Sequence, residues 1–350
     1  MAKKKADGER INYKQVLDEL RENGPERLYL LWGAEDYLTE SFAGEIKKLC
    51  VGGTDDDFSY RRISERDYSP ELLSDAVDSV PFLSERTLVE LRGLELNQMR
   101  ENEAESLLKA IKDIPEYCTV VFVQPAEFVP DKRSKLIKSL LSVGKELHFT
   151  AQSGDLLIKW IVSHFAAEGK RVELEAAQRL IAVSGELMNR LIPEIQKVAA
   201  YCKGEKVTVA DVEAVAHHIP EAVIFDMTDR LAEGRNDAAF ELLAELLADK
   251  DNEPIAMLAV LGLQMRKLYA AKLAADGGLG RDFVMKNCNI KYDSIASRLI
   301  ATARRFRAEY LARAVELCAE TDFRMKSSGA DPAELLKECI MLIAAGESDA

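Results

Sequence analysis

The residues best placed to do chemistry in this 350-residue chain follow its first apolar run. Leu28-Tyr29-Leu30-Leu31-Trp32 leads directly into Gly33-Ala34-Glu35-Asp36-Tyr37-Leu38. A strand, a tight turn and a helix in that order form the setting of a phosphate loop, written GxxxxGK followed by Ser or Thr. Backbone N–H groups and a lysine must cradle the phosphates there. This stretch has one glycine, no lysine, and two carboxylates, Glu35 and Asp36, where the phosphates would sit. A like-charge contact at about 4 Å is unfavourable even when screened by water. The other GK pairs fail too: Gly144-Lys145 is followed by Glu146 and Gly169-Lys170 by Arg171, neither with glycine five residues upstream. No magnesium carboxylate ends the later strands, where Leu91 runs into Arg92-Gly93 and Val123 into Gln124-Pro125. Gly33, Glu35 and Asp36 therefore read as a degenerate phosphate loop for which no nucleotide is expected. Glu35 and Asp36 can be taken as a catalytic pair or as anions favouring the N-terminus of the next helix through its dipole; the second reading is preferred.

Other constellations are poorer. There is no GxSxG, HExxH or DxDxDG pattern, and the four histidines (His148, His164, His217, His218) are too dispersed to assemble a triad by spacing. Cys202 with His217 and His218 comes nearest to a ligand set but lacks the paired spacing of a zinc site. No catalytic residue, metal or cofactor is expected. The six cysteines (50, 118, 202, 288, 318, 339) lie far apart without a CxxC pair, which reads as reduced thiols in a cytosolic protein.

The elements that would carry these residues change character along the chain. Candidate strands are Leu28–Trp32, Phe58–Arg62, Thr87–Leu91, Cys118–Val123 and Leu147–Ala151, each short, β-branched or aromatic and set between turn residues. Helical spacings alternate with them: Leu38, Phe42, Ile46 and Leu49; then Leu72, Leu73, Ala76, Val77 and Val80 after a Ser69 N-cap and Pro70; then Leu107, Leu108 and Ile111; then Leu136, Ile137 and Leu140. Alternation of this kind predicts a mostly parallel sheet covered on both faces. From about residue 153 the strand signal vanishes. Ser153 is placed to cap a helix through Phe165, a second helix ends at Ser184-Gly185, and a third spans Glu186 to Cys202 with Pro193 in its first turns. Thr208 and Asp211 form a capping-box pattern opening a short fourth. Beyond Pro220 the segments 222–233, 236–249, 254–275, 292–307, 308–326 and 332–346 read as helical, with Gly277-Gly278-Leu279-Gly280 a flexible loop. The fold class is α/β plus all-α, with domains at 1–152, 153–219 and 220–350.

Composition narrows the function. Acidic residues number 60 against 47 basic, a net charge of −13, which argues against coating nucleic acid by bulk charge. The basic N-terminus, MAKKKADGER, lacks the apolar core of a signal peptide. The longest apolar stretch, Ala256 to Met265, is interrupted by Gly262 and Gln264 and falls far short of the ~20 residues that span a bilayer, so no membrane role is expected. Arg298, Arg304, Arg305, Arg307 and Arg313 make a local basic cluster, read either as a DNA-facing patch or as a solvated helix face with partners such as Glu309 for Arg305. The stripe Leu258, Leu261, Met265 and Leu268 reads as helix core in preference to an interface.

One apolar segment lacks a structural reason. In Ser79-Val80-Pro81-Phe82-Leu83-Ser84, a proline stops the second helix and sets an aromatic and a leucine at its tip. Connections run over the surface and are usually polar. Phe82 and Leu83 either fold back over the sheet edge or stand exposed for a partner.

Four stretches carry a resemblance. Leu28 to Leu38, Pro81 to Val89, Val129-Pro130-Asp131-Lys132-Arg133-Ser134-Lys135-Leu136, and Thr321-Asp322-Phe323-Arg324-Met325-Lys326-Ser327-Ser328-Gly329 resemble, in order and spacing, the delta-subunit family of the bacterial DNA polymerase III clamp loader. The resemblance implies an AAA+-like α/β domain lacking both Walker motifs, a small helical lid and a C-terminal helical collar. It implies a non-catalytic subunit of a DNA-directed DNA polymerase (nucleotidyltransferase) holoenzyme that binds and opens the ring-shaped sliding clamp for loading onto primed DNA in replication. By position, Phe82 becomes the central clamp-binding anchor, Pro81 stands where leucine is common, and Val80 and Leu83 flank it. The implied partners are the sliding clamp (beta subunit), the ATP-hydrolysing gamma/tau and delta-prime subunits in a hetero-pentamer, and primed DNA through the assembly. Two other readings are an ATP-hydrolysing AAA+ protein with a non-standard phosphate loop and a helical adaptor outside replication.

Overall fold

The computed structural model describes residues 12–52, 58–82, 84–152 and 154–348. The chain divides into two compact units, residues 1–152 with 187–189, and residues 153–186 with 190–350.

The first unit contains α1 (Tyr13–Asn23), β1 (Leu28–Trp32), α2 (Asp36–Val51), β2 (Tyr60–Ser64), α3 (Pro70–Asp78), β3 (Thr87–Arg92), α4 (Glu101–Lys112), β4 (Cys118–Val123), α5 (Lys135–Val143) and β5 (Lys145–His148). The five strands form a sheet in the order β2-β3-β4-β1-β5, every pairing parallel, with Leu28 opposite Val120, Thr87 opposite Cys118 and Tyr60 opposite Leu88. β1 and β4 are buried along their whole length, as expected of continuous apolar runs covered on both faces. Successive side chains serve opposite faces. Leu30, Leu91, Val120 and Phe122 pack with Leu73 of α3, Leu107 of α4 and Ile137 of α5. On the other face Tyr29 meets Phe42 of α2 at 5.9 Å between ring centroids, and Phe149 closes against Phe42 at 5.7 Å. Ser69 caps α3 as expected, its Oγ accepting the Leu72 N–H at 3.1 Å.

Two strands depart from the expected bounds. β2 begins at Tyr60, leaving Phe58 in the preceding turn. β5 runs over Lys145–His148, earlier than Leu147–Ala151, because this edge strand carries ionic groups that obscure its pattern: Lys145 bonds Glu19, and Glu146 accepts from the Trp32 indole. Helix α1, which buries Leu20, is not among the expected elements, although Tyr13, Val16, Leu17 and Leu20 fall at helical spacing.

The second unit contains α6 (Asp155–Ala167), β6 (Arg171–Val172), α7 (Leu174–Ser184), α8 (Met188–Tyr201, its first residues in the first unit), β7 (Lys206–Val207), α9 (Val209–Val215), α10 (Pro220–Ala232), α11 (Asn236–Ala248), α12 (Pro254–Asp276), α13 (Arg281–Asn287), α14 (Asp293–Arg305), α15 (Ala308–Ser327) and α16 (Pro332–Ser348). The expectation of helix alone is corrected by β6 and β7, which pair in parallel through Arg171–Lys206 and Val172–Val207. Two-residue strands are too short to show an alternation. The Ser153 cap lies outside the described residues. Pro193 sits in the second turn of α8, where it forgoes one intrahelical hydrogen bond. The capping box holds: the Asp211 carboxylate accepts the Thr208 N–H at 2.8 Å. Leu258, Leu261, Met265 and Leu268 are buried in the core of this unit. All six cysteines are buried and unpaired. Among the described residues no cluster of His, Cys, Asp and Glu is arranged to hold a metal, and no helix is long and apolar enough to cross a membrane. The α/β plus all-α class and the five-stranded parallel sheet are those anticipated.

Candidate functional site

Helix α3 buries Leu73, Ala76 and Val77 and ends at Ser79, which leaves the helical region at φ −66°, ψ 126°. The chain then turns at the N-terminal edge of the sheet before entering β3. Val80 is 71% exposed and Phe82 79%, while Pro81 is half-buried. Phe82 therefore does not fold back over the sheet, and Leu83 lies outside the described residues. The turn is tied down by polar contacts. The Phe82 N–H donates to Ser59 Oγ at 3.4 Å, and Ser59 is itself buried with its carbonyl accepting the Leu88 N–H at 2.8 Å. Ser84 Oγ donates to the Arg86 carbonyl at 2.8 Å, and Arg86 reaches Thr119 Oγ1 at 3.3 Å. An apolar tip is thus presented to solvent on a turn fastened to the sheet.

Residues 33–36, expected from sequence to be a degenerate phosphate loop, lie at the opposite, C-terminal edge, where β1 leads into α2. One of their amides is already engaged: the Glu35 N–H donates to the Phe149 carbonyl at 3.1 Å, while the Glu35 carbonyl accepts the Leu38 and Thr39 N–H groups of α2 at 3.1 Å. Glu35 does stand at the start of the helix, as the residue immediately before α2, but its surroundings are not those its neighbours along the chain suggest. It is completely buried, and both carboxylate oxygens stand 3.3 Å from the Met188 N–H at the start of α8. Burial pushes its carboxyl up to about 7, against the pull of the Met188 and Tyr37 amides. Burial, then Glu127 and Glu40, also raises Asp36, the first residue of α2. At the end of β3, where a metal-binding carboxylate would stand in a nucleotide site, Arg92 pairs with Glu90 and with Glu40, its Nη2 2.8 Å from Glu40 Oε2. At the end of β4, the Gln124 side-chain amide is buried without a hydrogen-bond partner among the described residues.

The Glu35 environment has a sign that can be measured. A carboxyl raised from 4.5 to about 7 by folding is protonated more readily in the folded state. Folded stability should therefore fall as pH rises from about 4.5 to 7, by up to about 3 kcal/mol, and level off above. Glu35→Gln removes this contribution. Urea unfolding followed by Trp32 fluorescence in a Trp160→Phe background should show a flatter pH profile in the variant; identical slopes would refute it.

Two family models match the chain. That of the DNA polymerase III delta subunit matches residues 29–150, and that of the C-terminal domain of the same delta subunit matches residues 221–343. The chain belongs to the DNA polymerase III delta-subunit family. DNA polymerase III subunit delta of Bacillus subtilis is 26% identical over 327 residues, 90% of this chain and 92% of the relative. A probable DNA polymerase III subunit delta of Aquifex aeolicus is 23% identical over 76% of each chain. Among solved structures, the Bacillus subtilis DNA clamp loader delta protein is 23% identical, with a TM-score of 0.47 covering 95% of this chain and 99% of that one.

In this delta-family chain the arginine cluster is largely neutralised internally. Arg298 donates to Asp229 at 2.7 Å, also meets Asp226, and lies 5.0 Å over the Phe225 ring. Burial alone would raise the Asp226 carboxyl, yet hydrogen bonds from His218 and Arg298 and the charges of Arg298 and Arg179 hold it well below the usual carboxylate range. Arg305 pairs with Glu233 at 3.0 Å, not with Glu309, which lies 3.9 Å from Arg307. Arg304 is exposed and forms no ion pair among the described residues. Sequence reasoning missed Ser59 as the fastening of the tip and Met188 as the partner of Glu35. Each is separated from its partner along the chain, by 23 and 153 residues.

Proposed function

We propose that this protein is the clamp-loader subunit that binds the ring-shaped sliding clamp and opens it for loading onto primed DNA during replication. The observation that carries the reading is the tip: Val80 and Phe82 stand exposed on a turn fastened through Ser59, in a chain of the delta-subunit family. Phe82 is the central anchor, with Val80, Pro81 and Leu83 beside it. Insertion of an aromatic into a clamp pocket buries apolar surface without first having to order a loop. Tighter binding to the open ring than to the closed one shifts the ring toward opening.

The subunit hydrolyses no nucleotide itself. The engaged Glu35 amide and buried carboxylate of the 33–36 loop support this, since a phosphate would meet Glu35 and find its N–H already donated to Phe149. ATP acts in neighbouring gamma/tau and delta-prime subunits of a hetero-pentamer in the cytoplasm, held together through a collar at 220–350, with 153–219 as lid. Of the candidate DNA-facing residues, Arg304 is the one left without an internal carboxylate; Arg298 and Arg305 serve the fold.

Titration calorimetry of the purified chain against its own sliding clamp, without nucleotide, tests the reading. Binding is expected, and equilibrium dialysis against labelled ATP should show none retained. Absence of clamp binding would overturn the clamp assignment, and retained ATP would favour a nucleotide-driven protein.

A further inference from the structure

A second aromatic stands beside the tip. Phe58, in the turn before β2, is 80% exposed, as open to solvent as Phe82 at 79%. The two are separated in sequence but joined in space. Phe58 is followed by Ser59, whose buried Oγ accepts the Phe82 N–H at 3.4 Å. Summing the Cα–Cα step, the serine side chain, that hydrogen bond and the N–Cα bond puts the two phenylalanine Cα atoms at most about 11 Å apart. β2 and β3 pair in parallel with Tyr60 opposite Leu88, so both turns lie at the same N-terminal edge of the sheet.

We infer that Phe58 is a second clamp-binding anchor, seated on the same clamp surface as Phe82. This rests on the clamp-docking reading given above. A partner of ordinary size covers about 800 Å² on each side, a disc of about 16 Å radius. A footprint of that radius centred on Phe82 reaches as far as Phe58. Within an interface the large binding contributions cluster near the centre and favour aromatic anchors. Ser59 then has a definite role: it sets the spacing of the two rings, so that the pair meets the clamp as one preformed surface. The partner's matching chemistry is an apolar depression wide enough for two aromatic rings, or two adjoining ones.

The test is calorimetric titration of the sliding clamp with the full-length wild type, Phe58→Ala, Phe58→Leu, Phe58→Lys, Phe82→Ala and the double alanine variant, with thermal unfolding of each. Phe58→Ala should weaken binding about 5- to 30-fold with an unchanged unfolding midpoint, because the side chain is solvent-exposed. Phe58→Leu, which keeps most of the apolar area, should recover most of that loss. Wild-type affinity in Phe58→Ala together with weakened Phe82→Ala overturns the second anchor and leaves the clamp-docking tip standing. Wild-type affinity in both single variants removes the docking reading itself. Should Phe58→Ala lower the midpoint, Phe58→Lys decides, since it keeps a long side chain at this exposed position but puts a charge into the apolar contact: weakened clamp binding at a wild-type midpoint supports the anchor, and wild-type affinity overturns it.

Discussion

Phe82→Ala is expected to weaken binding to the sliding clamp by about 10- to 100-fold while leaving the unfolding midpoint of the protein unchanged. The side chain is 79% exposed, so its removal opens no cavity and breaks no internal packing. The bond from its N–H to Ser59 Oγ survives, because the backbone makes it. What disappears is the apolar surface delivered to the partner, and full burial of a phenylalanine contributes about 1.5–3 kcal/mol. Each 1.4 kcal/mol is a factor of ten in affinity. Ordering entropy normally erodes such a contribution. Here erosion is limited, because α3 stops at Ser79, Pro81 fixes its own φ, and Ser59 holds the turn. Parallel calorimetric titrations at fixed ionic strength measure the ratio directly. Equal affinities would place the clamp contact away from this turn.

Local patterns make the central elements of both units legible. β1 and β4 are readable because buried parallel strands are continuous apolar runs, and α3 because Ser69 and Pro70 open it with standard capping chemistry. The tip is legible as an anomaly, two large apolar residues where a connection should be polar, but its exposure is not, since the same residues could equally have covered the sheet edge. What stays hidden depends on contacts distant in sequence or on elements too short to have a period. The β6–β7 pair has two residues in each strand, and β5 is masked by Lys145 and Glu146. Glu35 reads, from its neighbours along the chain, as a helix-terminal anion. Its actual environment is set by Phe149 and Met188, which no local pattern connects to it. The arginines likewise read as a cluster, whereas Asp226, Asp229 and Glu233 on α10 and at its end decide which of them remain free.

Gly33→Ala is expected to destabilise the first unit by about 3–5 kcal/mol, far more than the same change at Gly93. Both glycines have positive φ, +130° and +70°. At Gly93 a methyl group would meet nothing within 4 Å, so the penalty there is the left-handed backbone alone, about 1–2 kcal/mol. At Gly33 the added carbon would stand 2.1 Å from the Phe149 carbonyl oxygen and 2.9 Å from the His148 ring. Neither neighbour is free to retreat. The Phe149 N–H donates to the Trp32 carbonyl at 2.8 Å, its carbonyl accepts the Glu35 N–H, and the His148 ring is stacked on Trp32 at 3.6 Å between centroids. Relief requires breaking at least one buried hydrogen bond in addition to bearing the strained dihedral. Urea unfolding read by Trp32 fluorescence in a Trp160→Phe background compares the two variants. Equal stabilities would mean that the loop has room to spare, contrary to the close approach of Phe149. In a working phosphate loop the glycine leaves space for a ligand's oxygens. Here that space is taken by the protein's own Phe149 carbonyl, so Gly33 is required for the fold of this loop.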